Sequence, residues 1–460
     1  MIERLSGQDI SSLSYEALGW PQDIGAIAIA DATTLQDADG RFRVELVRQA
    51  IAARLHLVPS LRKVVLRPGR GLGRPIWVDA PAFDITNHVR VYPLGDDADE
   101  DDLLRACELL RRTRLDPARP LWQLWLLPGL RDGRVGVFVR LHHVIADGVA
   151  GVALIGSLLQ TQADAWIAPA PAWVPRPAPT RRELRLDMAA RRARRTKQLV
   201  DRVAHPVRAL GNVAGTARTL RDMFATPRVP STSLNRPIGA DRSLAVVRGC
   251  LDTARVAAHR EQATVNDLIL ATVAGALRDL LHSRGEPVDG LVLRAAIPVS
   301  LHPGASGPAR GNLDSGMNVP LPARVADPIA RLRLVRQQTA TLKAKDKPPM
   351  FTGFMASELV QKTVLRLMNH QHIVNTYIAD VPGPPAPLYL AGARLLEVFP
   401  LVPIIGNVTV GIGVLSYAGQ LNFTVVADHD TWPDLPVFAR ALQHAYDELC
   451  QPAHHMAGGQ

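Results

Sequence analysis

Apolar and polar positions along the chain follow two alternating periods. From Ile24 to Ala30 the apolar residues run almost unbroken, which predicts a buried strand, and Arg134–Leu141 (RVGVFVRL) reads the same way. Between them the spacing lengthens to three and four residues. Val44–Leu55 therefore predicts a helix, and Asp101–Arg112 a second one led by acids that suit a helix N-terminus. Short apolar pieces at Val64–Leu66 and Ile76–Val78 flank a turn holding Gly69, Gly71 and Gly73, which predicts a hairpin. An apolar helix is expected at Val149–Leu159. The mixture then repeats: strand Leu244–Leu251, helix Val265–Leu281, strand Leu291–Pro298 and helix Pro328–Leu342. Strands Val408–Ser416 and Gln420–Asp428 and a closing helix Pro436–Cys450 complete it. Two mixed α/β domains follow, spanning residues 1–165 and 231–460, with a different kind of segment at 166–230.

That middle segment changes the picture of charge. The chain has 460 residues, 47% of them hydrophobic, which supports large cores and excludes disorder throughout. Its net charge of +10 comes with 53 Lys and Arg, only six of them Lys. Between Arg181 and Arg228 stand thirteen basic and four acidic residues, a net +9, so both flanking halves are close to neutral. The Pro-rich run Pro169–Pro179 before it reads as a stiff linker. Within it Leu199, Val203, Val207, Leu210, Val213, Ala217, Leu220 and Phe224 recur at helical spacing, with Pro206 expected to kink the helix. A basic amphipathic helix suits docking on an anionic membrane or lipid-droplet surface; it equally suits a stripe laid on the protein's own core. Nucleic acid is the poorer partner, because aromatics are only 5% and no nucleic-acid motif is present.

No run of 18 apolar residues predicts a membrane span; the longest candidate, Leu401–Leu415, is broken by Asn407, Thr409 and three glycines. The opening MIERLSGQDISS lacks the apolar core of a signal peptide, so a cytoplasmic location is expected. Cys107, Cys250 and Cys450 form no CxxC and no disulfide framework.

The chemistry concentrates where the strand Arg134–Leu141 ends, in His142-His143-Val144-Ile145-Ala146-Asp147-Gly148. Adjacent histidines diverge, so one can face a cleft while the other bonds locally. Asp147 can brace the turn or pair with an arginine, and Gly148 admits a backbone where a side chain would clash. A neutral histidine is a competent general base at pH 7. There is no HExxH and no cysteine at zinc-ligand spacing, and no G-x-S-x-G elbow.

HHxxxDG at this point of a two-domain α/β chain resembles the CoA-dependent acyltransferase superfamily, which includes condensation domains and chloramphenicol and carnitine acyltransferases. Further blocks narrow the resemblance to the bacterial wax ester synthase/diacylglycerol acyltransferase family. They are Pro120-Leu121-Trp122; Asn266-Asp267; Arg294 with Pro298-Val299-Ser300; Gly311-Asn312; and Leu321-Pro322. Val381-Pro382-Gly383-Pro384 follows, with Tyr389, Gly392, Pro400, Pro403, Gly406 and Ser416-Tyr417-Ala418-Gly419. They occur in the family's order over nearly the whole chain. Asp380 departs from it, standing where the family usually has Asn, and Ser14–Ile24 lacks the usual Met-His.

The resemblance implies two mixed-sheet, chloramphenicol-acetyltransferase-like domains with an active site in a tunnel between them. It implies acyl-CoA as co-substrate, no bound cofactor or metal, and a lipid alcohol as acceptor, either diacylglycerol or a long-chain alcohol. By resemblance His143 is the general base, with His142, Asp147 and Gly148 completing the catalytic motif. Arg294 is the expected partner of Asp147, and Asn266 a donor near the oxyanion. Thr264 with Asp267 reads instead as a helix capping box, and Pro120 and Trp122 as packing. Two rivals keep the same fold: a condensation-type acyltransferase fed by a carrier protein, and a catalytically weak lipid-binding relative.

Overall fold

Alternation of apolar runs and helical stripes gives the following order in the computed structural model, which describes residues 2–37, 39, 41–164, 166, 168–204, 228–300, 314–344 and 368–451. The first half holds α1 (Gly7–Ala17), β1 (Asp23–Asp31), α2 (Val44–Arg54), β2 (Lys63–Leu66), β3 (Ile76–Asp79), β4 (Val89–Val91), α3 (Glu100–Arg112), β5 (Trp122–Leu130), β6 (Arg134–His142) and α4 (Gly148–Leu158). The basic segment contributes α5 (Arg181–Ala204). Then come β7 (Arg242–Cys250), α6 (Leu251–Arg260), α7 (Val265–Ser283), β8 (Leu293–Ser300), β9 (Asp314–Leu321), α8 (Pro328–Lys343), β10 (Thr376–Pro382), β11 (Tyr389–Leu390), β12 (Ala393–Leu401), β13 (Val410–Tyr417), β14 (Gln420–Asp428) and α9 (Leu435–Cys450).

Two six-stranded mixed sheets organise these elements. The first runs β11-β12-β1-β6-β5-β4 and the second β7-β14-β13-β10-β8-β9. Sheet membership and chain order part company at β11 and β12. They lie late in the sequence, yet β12 pairs antiparallel with β1, Ile27 opposite Phe399. The second half thus lends a hairpin to the first half's sheet. Gln160 and Tyr389 tie that hairpin down by exchanging backbone hydrogen bonds, each 2.8 Å.

Three apolar layers form the core, and the second and third join the halves. One face of the second sheet packs under α6, α7, α8 and α9, through Ile378, Ile412, Phe423, Leu270, Leu332 and Phe438 among others. One face of the first sheet packs α2 and α4, and Val381, Leu415 and Tyr417 of the second half join that cluster. On the other face, Phe138, Phe399 and α3 meet Leu244 and Val426. Polar clamps cross the same boundary: Arg248 pairs with both Glu100 and Glu397, and Leu244 N donates to Glu108 Oε1.

The basic segment begins as a docked helix. On α5, Leu184 is buried with Leu72 and Ile76 of the β2–β3 hairpin, and Arg4 donates to Asp187 at 2.8 Å. Asp187 also accepts from Arg191, one turn on, so Leu184, Asp187 and Arg191 share one docked face. Arg182, Arg185, Leu186 and Arg192 remain exposed. The later stripe from Val207 to Phe224, with Pro206, lies outside the described residues, as do Gly311 and Asn312. Among the described residues no helix is long and apolar enough to cross a membrane.

Candidate active site

β6 carries the histidine pair out of the sheet. It is buried from Val135 to His142 and held between β1 and β5, with Asp23 opposite His142 and Trp122 opposite Leu141. The chain then turns, because Asp147 caps α4: its Oδ1 accepts from Ala150 N at 2.9 Å. The result is a short loop with two histidines in different surroundings.

His142 is fully buried. Its Nδ1 accepts a hydrogen bond from Val144 N at 3.0 Å, so the ring proton of the neutral form sits on Nε2. Nε2 lies 3.2 Å from Glu16 Oε2 without the alignment of a hydrogen bond. The ring thus has no accessible surface and is locked to the backbone behind the loop.

His143 differs. Its backbone N–H donates to Gln22 O at 2.8 Å, and the residue keeps some accessible surface while protein surrounds its ring densely. Burial pulls its pKa below the ordinary value; its own carbonyl and the charge of Asp147 oppose that pull in part. The imidazole is thus neutral at pH 7, with an acid nearby to steady a positive charge formed on it. The other oxygen of that acid, Asp147 Oδ2, is buried without a hydrogen-bond partner.

Two expectations for this loop need correction. Arg294 does not bond Asp147: its guanidinium donates to Ile373 O at 2.8 Å, and its backbone N–H donates to Asn375 Oδ1. It sits at the start of β8, where it anchors the approach to β10. Gly148 does not avoid a clash either. A methyl group placed on it would find only Val381 Cγ2, at an ordinary 3.6 Å. Gly148 is exposed, and its missing side chain leaves room above the loop.

The blocks of the second half act mainly as clamps. Asp267 accepts from Thr264 N and Oγ1 and from Thr339 Oγ1, so the expected capping box also staples α7 to α8. Asn266 stands half-buried beside it, without a side-chain hydrogen bond among the described residues. Gly383 N donates to Ser416 Oγ, and a Cβ there would lie 2.3 Å from Ser416 O, so only glycine fits. Tyr417 Oη donates to Leu395 O and accepts from Leu388 N. These bonds tie the end of β10 to β13 and fix the crossover hairpin. Trp122, buried, donates to Leu61 O, in keeping with a packing role.

Sequence reading missed what lies behind the motif. Asp23 forms a buried ion pair with Arg140 at 3.2 Å, and Gln123 Oε1 accepts from Arg140 as well. The available signal was a charged residue inside each of two apolar strands. Asp380, flagged only as a departure, lies half-buried on β10 with no hydrogen-bond partner among the described residues, and burial pushes its pKa up to about 6. A raised carboxyl pKa means the folded state holds the proton more tightly than the unfolded chain. Stability is therefore full at low pH and declines as pH rises from about 4 through 6, by up to about 3 kcal/mol. Asp380→Asn is expected to raise the denaturation midpoint at pH 7.5 and leave it unchanged at pH 4. Equal shifts at both pH values would show that the charge is not the cause.

Comparisons with known proteins agree with this arrangement. The profile of the wax ester synthase/diacylglycerol acyltransferase catalytic domain matches residues 5–269, and that of the family's C-terminal domain residues 310–450. A Mycobacterium tuberculosis (strain CDC 1551) protein named as a diacylglycerol O-acyltransferase is 30% identical, over 98% of this chain and 90% of its own. A second from that species, under the same enzyme name, is 28% identical over 93% of this chain and 90% of its own. The wax ester synthase/diacylglycerol acyltransferase of Marinobacter aquaeolei VT8 superposes with a TM-score of 0.68 at 22% identity, covering 97% of this chain and 98% of its own. The starter condensation domain of rhizomide synthetase gives 0.60 at 14% identity, covering 98% and 96%, a likeness of fold.

Proposed function

The chain belongs to the wax ester synthase/diacylglycerol acyltransferase family and is an acyl-CoA-dependent acyltransferase, and from that premise we propose that it esterifies a lipid alcohol with His143 as general base. The observation that carries the assignment is the contrast within the pair. His142 is sealed and locked, whereas His143 is reachable, neutral at pH 7 and close to the Asp147 carboxylate. In this reading His143 takes the proton of the acceptor hydroxyl as its oxygen attacks the thioester carbonyl. The tetrahedral intermediate collapses, the carbon–sulfur bond breaks, and the proton on His143 passes to the departing CoA thiolate. Atoms and charge balance without a covalent enzyme intermediate. Asp147 favours the transient imidazolium, and Asn266 is the proposed donor to the oxyanion.

The acceptors are a diacylglycerol, a long-chain alcohol, or both. Labelled palmitoyl-CoA incubated with each, followed by thin-layer chromatography, is expected to yield labelled triacylglycerol or wax ester. Labelled ester formed only from a carrier-protein-bound acyl donor would replace this reading with the condensation-type one. No labelled ester from any pair would leave a lipid-binding relative.

The substrates are water-insoluble, and the exposed surface of the linker and α5 suits contact with the lipid that holds them. Trp166 is 80% exposed, Val174 82% and Leu186 60%, on the same stretch as Arg182, Arg185 and Arg192. We infer peripheral attachment to anionic membrane or lipid-droplet surface through this stretch. Each arginine near such a surface contributes about 1 kcal/mol. Replacing Arg182, Arg185 and Arg192 by Glu is thus expected to weaken binding to phosphatidylserine vesicles by about a hundredfold or more. Unchanged vesicle binding would return the charge to a solubilising role.

A further inference from the structure

Away from the histidine loop, the first half contains a second opening with its own chemistry. A cavity of about 320 Å³ is lined by Ala52, Leu55, Arg62, Phe83, Asp84, Ile85 and Trp173. That volume lies at the low end of small-ligand sites. Arg62 is the unusual wall. It is 93% buried, and none of its guanidinium nitrogens has a hydrogen-bond partner among the described residues, Nε being wholly sealed. Its guanidinium carbon lies 5.1 Å from the Trp173 ring centre and 5.9 Å from that of Phe83. Two aromatic faces repay part of the cost of burying a cation, but they supply no acceptor for its N–H groups. The nearby carboxylate is committed elsewhere, since Asp84 Oδ1 and Oδ2 accept from Thr86 N and Oγ1. The rest of the lining, Ala52, Leu55 and Ile85, is apolar.

We propose that this cavity binds the anionic head of a single-chain amphiphile, with the carboxylate or phosphate on Arg62 and the chain against Leu55, Ile85 and the aromatic rings. A planar guanidinium offers two parallel donors to either anion. Trp173 belongs to the Pro-rich linker, so the linker forms one wall of the site. The opposite wall runs toward the motif. Phe83 stacks on His88 at 5.0 Å, His88 stacks on Trp122 at 4.6 Å, and Trp122 lies opposite Leu141, next to His142. The lining shares no residue with the histidine loop, so occupancy of the cavity is expected not to depend on His143.

The test uses the full-length protein and 6-bromododecanoate, whose bromine lies close enough to the carboxylate to quench a tryptophan beside Arg62. The signal is the quenching of the parent minus that of Trp173→Phe, which isolates Trp173 from the other tryptophans and from binding elsewhere. A saturable difference is expected. Arg62→Met should weaken its concentration dependence by about tenfold or more, and Ala52→Phe, which fills the cavity while leaving Arg62 in place, should abolish it. CoA release from saturating acyl-CoA by both variants verifies that they are folded. Saturation by 6-bromododecanoate alone identifies a free fatty acid as the source, and saturation by 6-bromododecyl phosphate a phospholipid-type head. No difference signal overturns the proposal. So does equal quenching by uncharged 6-bromododecanol, because the guanidinium would then recognise nothing.

Discussion

A His143→Ala protein is expected to release CoA from an acyl-CoA donor about 10²–10⁴-fold more slowly than the parent, with acceptor present and the fold intact. The magnitude follows from losing proton transfer while both substrates still bind. Little structural damage should accompany it, because the backbone N–H that donates to Gln22 O is retained by alanine. The pH profile gives the sharper signature. Burial holds the imidazole pKa below the ordinary histidine value, and only the neutral ring accepts a proton. The parent rate should therefore be flat from about pH 7 upward and fall on an acid limb centred below about 6.5. In the alanine variant that limb should vanish. His142→Ala provides the contrast. It removes the acceptor for Val144 N, which leaves a buried donor unsatisfied, and should lower stability by about 1–3 kcal/mol. A His143→Ala enzyme as fast as the parent, or with its acid limb unmoved, would exclude His143 as the base.

The second large effect concerns the ion pair behind the motif. Asp23→Ala is expected to cost about 3–5 kcal/mol of folding stability, read as a lower denaturant midpoint. Asp23 is the carboxylate paired with Arg140 in the core, and its charge also favours the buried Arg111, whose Nε and Nη1 have no acceptor. Removing it leaves two buried guanidinium groups with only the weaker influence of Glu16 on Arg140 and of Glu108 on Arg111. Because Asp23 lies opposite His142, activity should fall with stability. Replacing both partners, Asp23→Leu with Arg140→Met, should recover much of the loss, since the penalty belongs to the stranded charge rather than to the missing attraction. An alanine variant within about 1 kcal/mol of the parent would mean that water reaches Arg140 and solvates it.

Much of the fold was legible in the chain. The predicted strand Gln420–Asp428 coincides with β14, and Arg134–Leu141 falls one residue short of β6. These segments are buried on both faces or sharply punctuated by turns, so local pattern decides them. α1 was not read, because GQDISSLSYEA has no apolar stripe; it forms with a capping box between Ser6 and Asp9. β5 was seen only as the family block that precedes it, and β10 only as the lead into Val381-Pro382-Gly383-Pro384. The place of β12 was not legible at all, since pairing across more than 350 residues leaves no local trace. The site divides in the same way. The motif named the loop, but which histidine keeps accessible surface is set by the turn that Asp147 caps. The Arg294 expectation failed because a sequence order of blocks holds no distances.

The borrowed hairpin also bears on how the protein is made. On the ribosome β1 and β6 emerge early, with the histidine loop attached to them. The strand that covers the other edge of β1 is synthesised only near residue 400. For most of translation, Ile27 and Ile29 therefore sit on an open edge with unsatisfied backbone groups, a surface prone to pair with another chain. Chains that stop before Ala393 should accumulate as chaperone-bound or aggregated material rather than as a free half-enzyme. The histidine loop and the strand that completes its sheet are thus delivered at opposite ends of synthesis, and no premature fragment carries the completed sheet.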